Sequence, residues 1–177
     1  AHSREDVTEE SKHVLRCPLL MDGMLSGARF SGVKLTKYID VIDADVDMQI
    51  SAVTFLLDDG SAYVAFRGTD STVVGWKEDF NMAFKKPVPG QRLSALYLNE
   101  IGNRIDGEFM VCGHSKGGNL AVYSCMNVFE DIQKRIKRIY SFDGPGFRPE
   151  ILNSDDYEKI AERIEKYIPQ SSLVGMI

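Results

Sequence analysis

Between residues 50 and 168 the apolar pattern changes period several times, and this switching limits the fold more than any other feature. Ile50 to Leu57 is β-branched and apolar. Asp58-Asp59-Gly60-Ser61 reads as a hairpin turn and Ala62 to Phe66 as the second strand. From Ser71 to Phe84, the residues Val73, Trp76, Phe80 and Phe84 share one helical face, and Pro87-Val88-Pro89-Gly90 breaks that helix. Leu93, Leu96, Tyr97 and Ile101 mark another helix, ending near Gly102 and Asn103. Glu108 to Cys112 then reads as a strand, Gly117 to Phe129 as a helix and Arg138 to Phe142 as a strand. Asp155 to Tyr167 reads as an amphipathic helix, with Tyr167 and Ile168 opening a last strand or loop. A hairpin followed by alternating helices and strands predicts an α/β fold. Its central sheet is mainly parallel, with helices on both faces. Such sheets hold their ligands beyond the carboxyl ends of the strands.

The chain has 177 residues, which suffices for one domain with a buried core and not for two full ones. Residues 1–177 are therefore expected to form a single domain, with 1–48 a helical lead-in and 50–177 the core. Within the lead-in, one or two short helices are expected before residue 32. Leu35, Tyr38, Ile39 and Ile42 follow at helical spacing, and the acidic stretch Asp43, Asp45, Asp47 reads as a loop.

Lys and Arg number 21 and Asp and Glu 26, a net charge of −5. An acidic chain is a poor nucleic-acid binder, because phosphate binding needs clustered cations. No apolar run approaches the length needed to span a bilayer, and the first thirty residues lack the apolar stretch of a signal peptide. Three cysteines, Cys17, Cys112 and Cys125, without regular spacing are neither a disulfide framework nor a zinc site. They point to a reducing compartment, expected to be the cytoplasm. The sequence starts at Ala1 without Met and stops at Ile177 after an apolar stretch, so a longer parent chain is expected.

Chemistry concentrates where Phe109-Met110-Val111-Cys112 runs into Gly113-His114-Ser115-Lys116-Gly117-Gly118. This is G-x-S-x-G between a strand and a helix. A nucleophilic serine needs a very tight strand-to-helix turn, so that its hydroxyl stands clear of the backbone. Such a turn crowds the positions two before and two after it, where Gly113 and Gly117 lack side chains. The helix then begins at the nucleophile, and the Lys116 N–H points at the developing oxyanion. The alternative is an ordinary glycine-rich turn. The strand before, the small Gly118 and Ala121 after, and the next strand favour Ser115 as nucleophile.

Gly113-His114-Ser115-Lys116-Gly117-Gly118-Asn119-Leu120-Ala121 resembles the nucleophile elbow of α/β-hydrolases, especially the class 3 (fungal-type) lipases. Ala65-Phe66-Arg67-Gly68-Thr69 resembles the segment that ends a strand there and supplies an oxyanion donor. Gly75-Trp76-Lys77-Glu78-Asp79-Phe80 resembles their pattern in and after the lid. Ile139-Tyr140-Ser141-Phe142-Asp143-Gly144-Pro145 resembles the strand after the nucleophile helix. With Phe-Asp-Gly-Pro-Gly-Phe, the set is similar to an uncharacterised bacterial lipase-like family. The resemblance implies an α/β-hydrolase-type fold that is C-terminally incomplete here. It also implies a serine hydrolase of the lipase or esterase kind, acting on a small-molecule acyl ester or lipid with no metal or organic cofactor. The alternative is a hydrolase fold kept as a non-catalytic binding or regulatory protein. Oligomeric state is left open.

The other site residues follow from this. Thr69 is the second oxyanion donor, or a helix cap with Asp70 and Ser71. Asp143 ends the first strand after the nucleophile, on the same sheet edge as Ser115, and is assigned as the acid. A carboxylate capping the Gly144 turn is the alternative. Class 3 lipases have glycine at this place, and their acid position falls near Ser171 or Ser172. The order Ser, acid, His requires a histidine after Asp143. None follows, so the base is expected beyond Ile177. His114 is expected to point into the support of the elbow. His2 and His13 precede the first strand. Lys116 opposes the helix dipole. It is read as meeting an anionic part of the substrate or a pocket carboxylate, or as a solvent-exposed lysine. Arg67 and Asp79 are expected to pair, or to be independent surface charges. Trp76 is read as packing rather than substrate contact. Cys112 and Cys125 are read as core thiols. Lys134, Arg135, Lys137 and Arg138 are read as a solvated helix end, with a phosphate or membrane patch as the alternative.

Overall fold

The computed structural model describes residues 9–69, 87–172 and 175, with side chains from residue 18 onward. The chain divides into two compact units, Ala1–Val33 and Lys34–Ile177. The first contains helix α1 (Glu9–Ser26), with Pro18 inside it. Its end is closed by the Ser26 hydroxyl, which donates to the Asp22 carbonyl at 2.8 Å, and by turns at Gly27 and Phe30. Among the described residues, no helix is long and apolar enough to cross a membrane.

The second unit contains a six-stranded sheet in the order β1-β2-β3-β4-β5-β6. The strands are β1 (Lys34–Asp43), β2 (Met48–Leu56), β3 (Ala62–Phe66), β4 (Phe109–His114), β5 (Ile136–Phe142) and β6 (Ile164–Tyr167). The first three pair antiparallel, and β3 to β6 are parallel. Helix α2 (Pro89–Gly102) precedes β4, and α3 (Lys116–Asn127) and the short α4 (Glu130–Gln133) follow it. Two more helices, α5 (Pro149–Leu152) and α6 (Asp155–Ala161), link β5 to β6.

The β2–β3 hairpin turns where expected. Gly60 takes φ +82°, which a side chain would strain, and the Asp59 carboxylate accepts from both the N–H and the hydroxyl of Ser61. Those bonds, the hydroxyl's first, hold the Asp59 carboxyl below its ordinary value. Of the acidic stretch, Asp43 ends β1 and pairs with Met48, and residues 44–47 form the turn to β2, as expected of Asp45 and Asp47.

The segment Leu35–Ile42, expected as a helix, is a strand. Its pairing with β2 shifts register between Thr36 and Ile39, and Lys37 sits there at φ +49°. The extra residue of this bulge turns an alternation of two into spacings of three and four, which imitates a helix. Tyr97 of α2 pins the bulge. Its hydroxyl donates to the Lys37 carbonyl at 2.5 Å and lies 2.8 Å from the Thr54 hydroxyl. Lys37 in turn pairs with Glu100 at 2.6 Å.

Two other boundaries move. Pro89 and Gly90 belong to the first turn of α2 rather than preceding it, since Pro tolerates that position. The last helix ends at Ala161, and β6 begins at Ile164. The expected helix 71–84, with Trp76 and Asp79, lies outside the described residues.

Val64, Val111 and Ile139 project from one face of the sheet and are fully buried with Leu98 and Ile101 of α2 and Leu120, Ala121 and Cys125 of α3. Each large aliphatic side chain so buried stabilises by about 1.5–3 kcal/mol. Alternate positions carry an aromatic row instead. Tyr63 stacks on Tyr140 at 6.2 Å, Tyr140 on Phe142 at 6.2 Å, and Phe142 on Tyr167 at 5.4 Å.

Candidate active site

The turn between β4 and α3 has the geometry that a serine nucleophile requires. Ser115 lies at φ 54°, ψ −128°, a region that side chains rarely adopt and that costs about 1–3 kcal/mol. Two backbone hydrogen bonds hold it there. The Ser115 N–H donates to the Phe142 carbonyl at 2.8 Å, and the Gly118 N–H to the Ser115 carbonyl at 2.8 Å. A Cβ on Gly113 would strike the backbone of Gly117, and one on Gly117 the backbone of Phe66 and Arg67. Both positions exclude a side chain, Gly113 because of the turn itself and Gly117 because of the chain leaving β3 rather than the turn.

Gly68 adds a contact that the sequence did not disclose. A Cβ there would lie 2.7 Å from the His114 carbonyl and 3.4 Å from the Ser115 Cβ. The chain leaving β3 thus passes directly beside Ser115, which brings Thr69 to the same corner. The cap residues Asp70 and Ser71 lie outside the described residues.

Lys116 is the first residue of α3 and is only 1% exposed, which overturns the solvent-exposed alternative. Its ammonium donates to the Gln49 carbonyl at 2.7 Å and to Gln49 Oε1 at 2.5 Å. The aliphatic stem therefore crosses from the elbow to β2 inside the protein. Arg67 meets Asp40 of β1 at 3.1 Å; its expected partner Asp79 lies outside the described residues.

His114 corrects an expectation. It is exposed, not folded into the support of the elbow, because it is the last residue of β4 and its side chain alternates away from Gly113. It lines a cleft of 260 Å³ with Phe142, Asp143, Tyr167, Ile168 and Pro169.

Asp143 directly follows β5 and is half-buried at φ 54°. Its N–H donates to the Tyr167 carbonyl at 2.7 Å, tying it to the end of β6. Its carboxylate does not cap the Gly144 turn; Oδ1 accepts from the Ser172 hydroxyl. Ser115 and Asp143 thus follow adjacent parallel strands at the same edge, their preceding residues His114 and Phe142 in register. Ser172, which the sequence offered only as a position lacking a carboxylate, is in contact with the carboxylate that is present.

The Mbeg1-like family description matches residues 24–177. The chain belongs to the Mbeg1-like family. Among curated proteins no match was found. The fold is similar to that of a fungal lipase solved with an inhibitor, with a TM-score of 0.59 and 15% identity over 88% of this chain and 66% of that one. It is also similar to Rhizomucor miehei lipase in its propeptide complex, with a TM-score of 0.58 and 17% identity over 96% and 64%. A third likeness is to M37 lipase, with a TM-score of 0.54 and 13% identity over 92% and 62%. At these identities the likeness is one of fold: a mixed sheet with helices on both sides, as the alternation implied. This Mbeg1-like chain spans less than two thirds of the length of those lipases.

Several supporting residues of the Mbeg1-like chain were not legible as such. Asn119, buried on α3, donates to the carbonyls of Pro145 at 3.2 Å and Gly146 at 3.1 Å, so it holds the loop that leaves Asp143. Its own carbonyl accepts from Gln91 at 2.8 Å, and Gln91 accepts from the Val88 N–H. The basic run 134–138 is not a solvated helix end. Lys137 and Arg138 lie on β5 and pair with Glu108 and Glu165, and Lys134 pairs with Glu130. The Arg135 guanidinium donates to the Gly102 carbonyl at 2.6 Å and to Ile105, and lies 5.0 Å from the centre of the Phe109 ring. Such a cation satisfies carbonyls that the end of α2 leaves open. Cys112 and Cys125 are half-buried and buried, and burial pushes their thiols up to about 11 and about 12. Neither is poised as a nucleophile.

Proposed function

We propose that this chain carries the nucleophile of a lipase- or esterase-like serine hydrolase acting on carboxylic esters. The observation that carries the reading is the backbone of Ser115, held at φ 54° where β4 becomes α3 with glycines cleared on both sides. A strained turn that packing over-determines is what a nucleophile needs and what an ordinary helix start does not.

In this reading the Ser115 hydroxyl attacks the acyl carbonyl and its proton passes to an imidazole. The backbone N–H groups of Lys116 and Thr69 stabilise the oxyanion. The alkoxide leaves with the proton from the imidazolium, and water then releases the acid from the acyl-serine. Asp143 holds that imidazole, and the cleft it shares with His114, Phe142 and Tyr167 has room for the ring. No histidine follows Asp143, so the ring is proposed to come from outside these 177 residues. The substrate is proposed to be a small acyl ester or lipid and the compartment the cytoplasm. No nucleic acid, metal or organic cofactor enters the reaction.

The test is labelling of the full-length protein by a fluorophosphonate probe. Uptake that disappears in Ser115→Ala supports the enzyme, and Asp143→Asn should slow labelling by several orders of magnitude while leaving the fold intact. A full-length protein that takes no probe would leave a hydrolase fold serving as a binding or regulatory module.

A further inference from the structure

We propose that Ser172 is the positioning residue for Asp143, and that the turn after β6 is built to fix the rotation of that carboxylate. The proposal rests on the serine hydrolase reading above. The carboxylate and the turn come from different parts of the sheet. Asp143 follows β5, and its N–H is tied to the Tyr167 carbonyl, so its side chain emerges beside the chain that leaves β6. That chain turns at once, with the Ser172 N–H donating to the Pro169 carbonyl at 3.0 Å. The turn places the Ser172 hydroxyl on Asp143 Oδ1.

The direction of this bond is set by its neighbour. The Gly175 N–H donates to the Ser172 Oγ at 3.0 Å. With that amide on its acceptor side, the hydroxyl has one proton and one evident place for it, the carboxylate. Gly175 also leaves room for this approach, since a Cβ there would collide with Asp143 Oδ1 and push the carboxylate off its rotation. One carboxylate oxygen is therefore committed to the turn. The other remains for a ring entering the cleft lined by His114, Phe142 and Tyr167. A carboxylate already fixed in rotation pays no ordering cost when it orients a histidine, the usual service of a supporting hydrogen bond.

The test uses the full-length protein, a fluorophosphonate and p-nitrophenyl butyrate. Ser172→Ala should lower kcat by about tenfold with KM within about twofold and thermal midpoint unchanged, and Ser172→Thr should restore most of it. The double variant Asp143→Ser/Ser172→Asp should recover at least about tenfold over Asp143→Ser alone, because the new carboxylate starts within hydrogen-bond reach of the old one. An unchanged kcat in Ser172→Ala overturns the proposal. So does a loss that neither Ser172→Thr nor the double variant recovers, because that pattern marks a structural role. A wild type that takes no probe overturns the hydrolase reading instead. The pairing is then read by NMR: a protected Ser172 hydroxyl proton lost in Asp143→Ala supports it, and no such proton in the wild type overturns it.

Discussion

At the scale of single residues, the elbow sets stability against chemistry. Ser115 occupies a backbone region that suits glycine. Ser115→Gly should therefore raise stability by about 1 kcal/mol, seen as a higher urea midpoint, while abolishing probe uptake. A midpoint equal to or below that of the wild type would show that the turn stores no strain. Asn119 is the reverse case. It spans two carbonyls on one side and Gln91 on the other. Asn119→Ala should cost about 2–3 kcal/mol, because the groups it leaves behind have no replacement partner. It should also slow labelling, since the loop it releases begins at Asp143. Gly113, Ser115 and Gly117 were legible together as one five-residue pattern, although what crowds Gly117 is the distant chain leaving β3. Gly68, Asn119 and Ser172 were not, because each acts on a partner between 26 and 47 residues away in sequence.

At the scale of elements, β1 shows what hid part of the fold. Its bulge altered the apolar spacing, and only pairing with β2 and support from α2 make it a strand. In β3 no bulge intervenes and burial alternates strictly, whereas β5 shifts register against β4 beside Phe109 and Met110, so Ile136 and Lys137 fell outside the strand read from the residues. Tyr97→Phe removes the hydroxyl that reaches both Lys37 and Thr54. It should cost about 1–2 kcal/mol and raise amide exchange in β1 above that in β4. Uniform exchange across the sheet would mean that the bulge stands without that bond.

At the scale of the whole molecule, burial of weak acids sets an alkaline limit. Burial pushes Cys112 and Cys125 up to about 11 and about 12 from an ordinary 9.0, and lifts Tyr63, Tyr97 and Tyr123 as well. The stability this confers is complete below pH 9, and it fades as the pH climbs toward the folded values. In that window the unfolded chain has released protons that the native chain retains. The urea midpoint should accordingly fall between pH 9 and 11, and Cys125→Ala should flatten the decline by up to about 1.4 kcal/mol per pH unit. Equal midpoints at pH 8 and 10.5 would refute it.

Strand order in this sheet follows chain order, so each strand is laid beside the one made just before it. The amide of Ser115 is satisfied by the carbonyl of Phe142, on a strand that arrives 27 residues later. A ribosome adding about 5–20 residues per second would make those residues in roughly one to five seconds. Until β5 is in place the amide of Ser115 lacks the carbonyl that satisfies it in the folded sheet, so the strained turn is complete only once the later strand lies alongside.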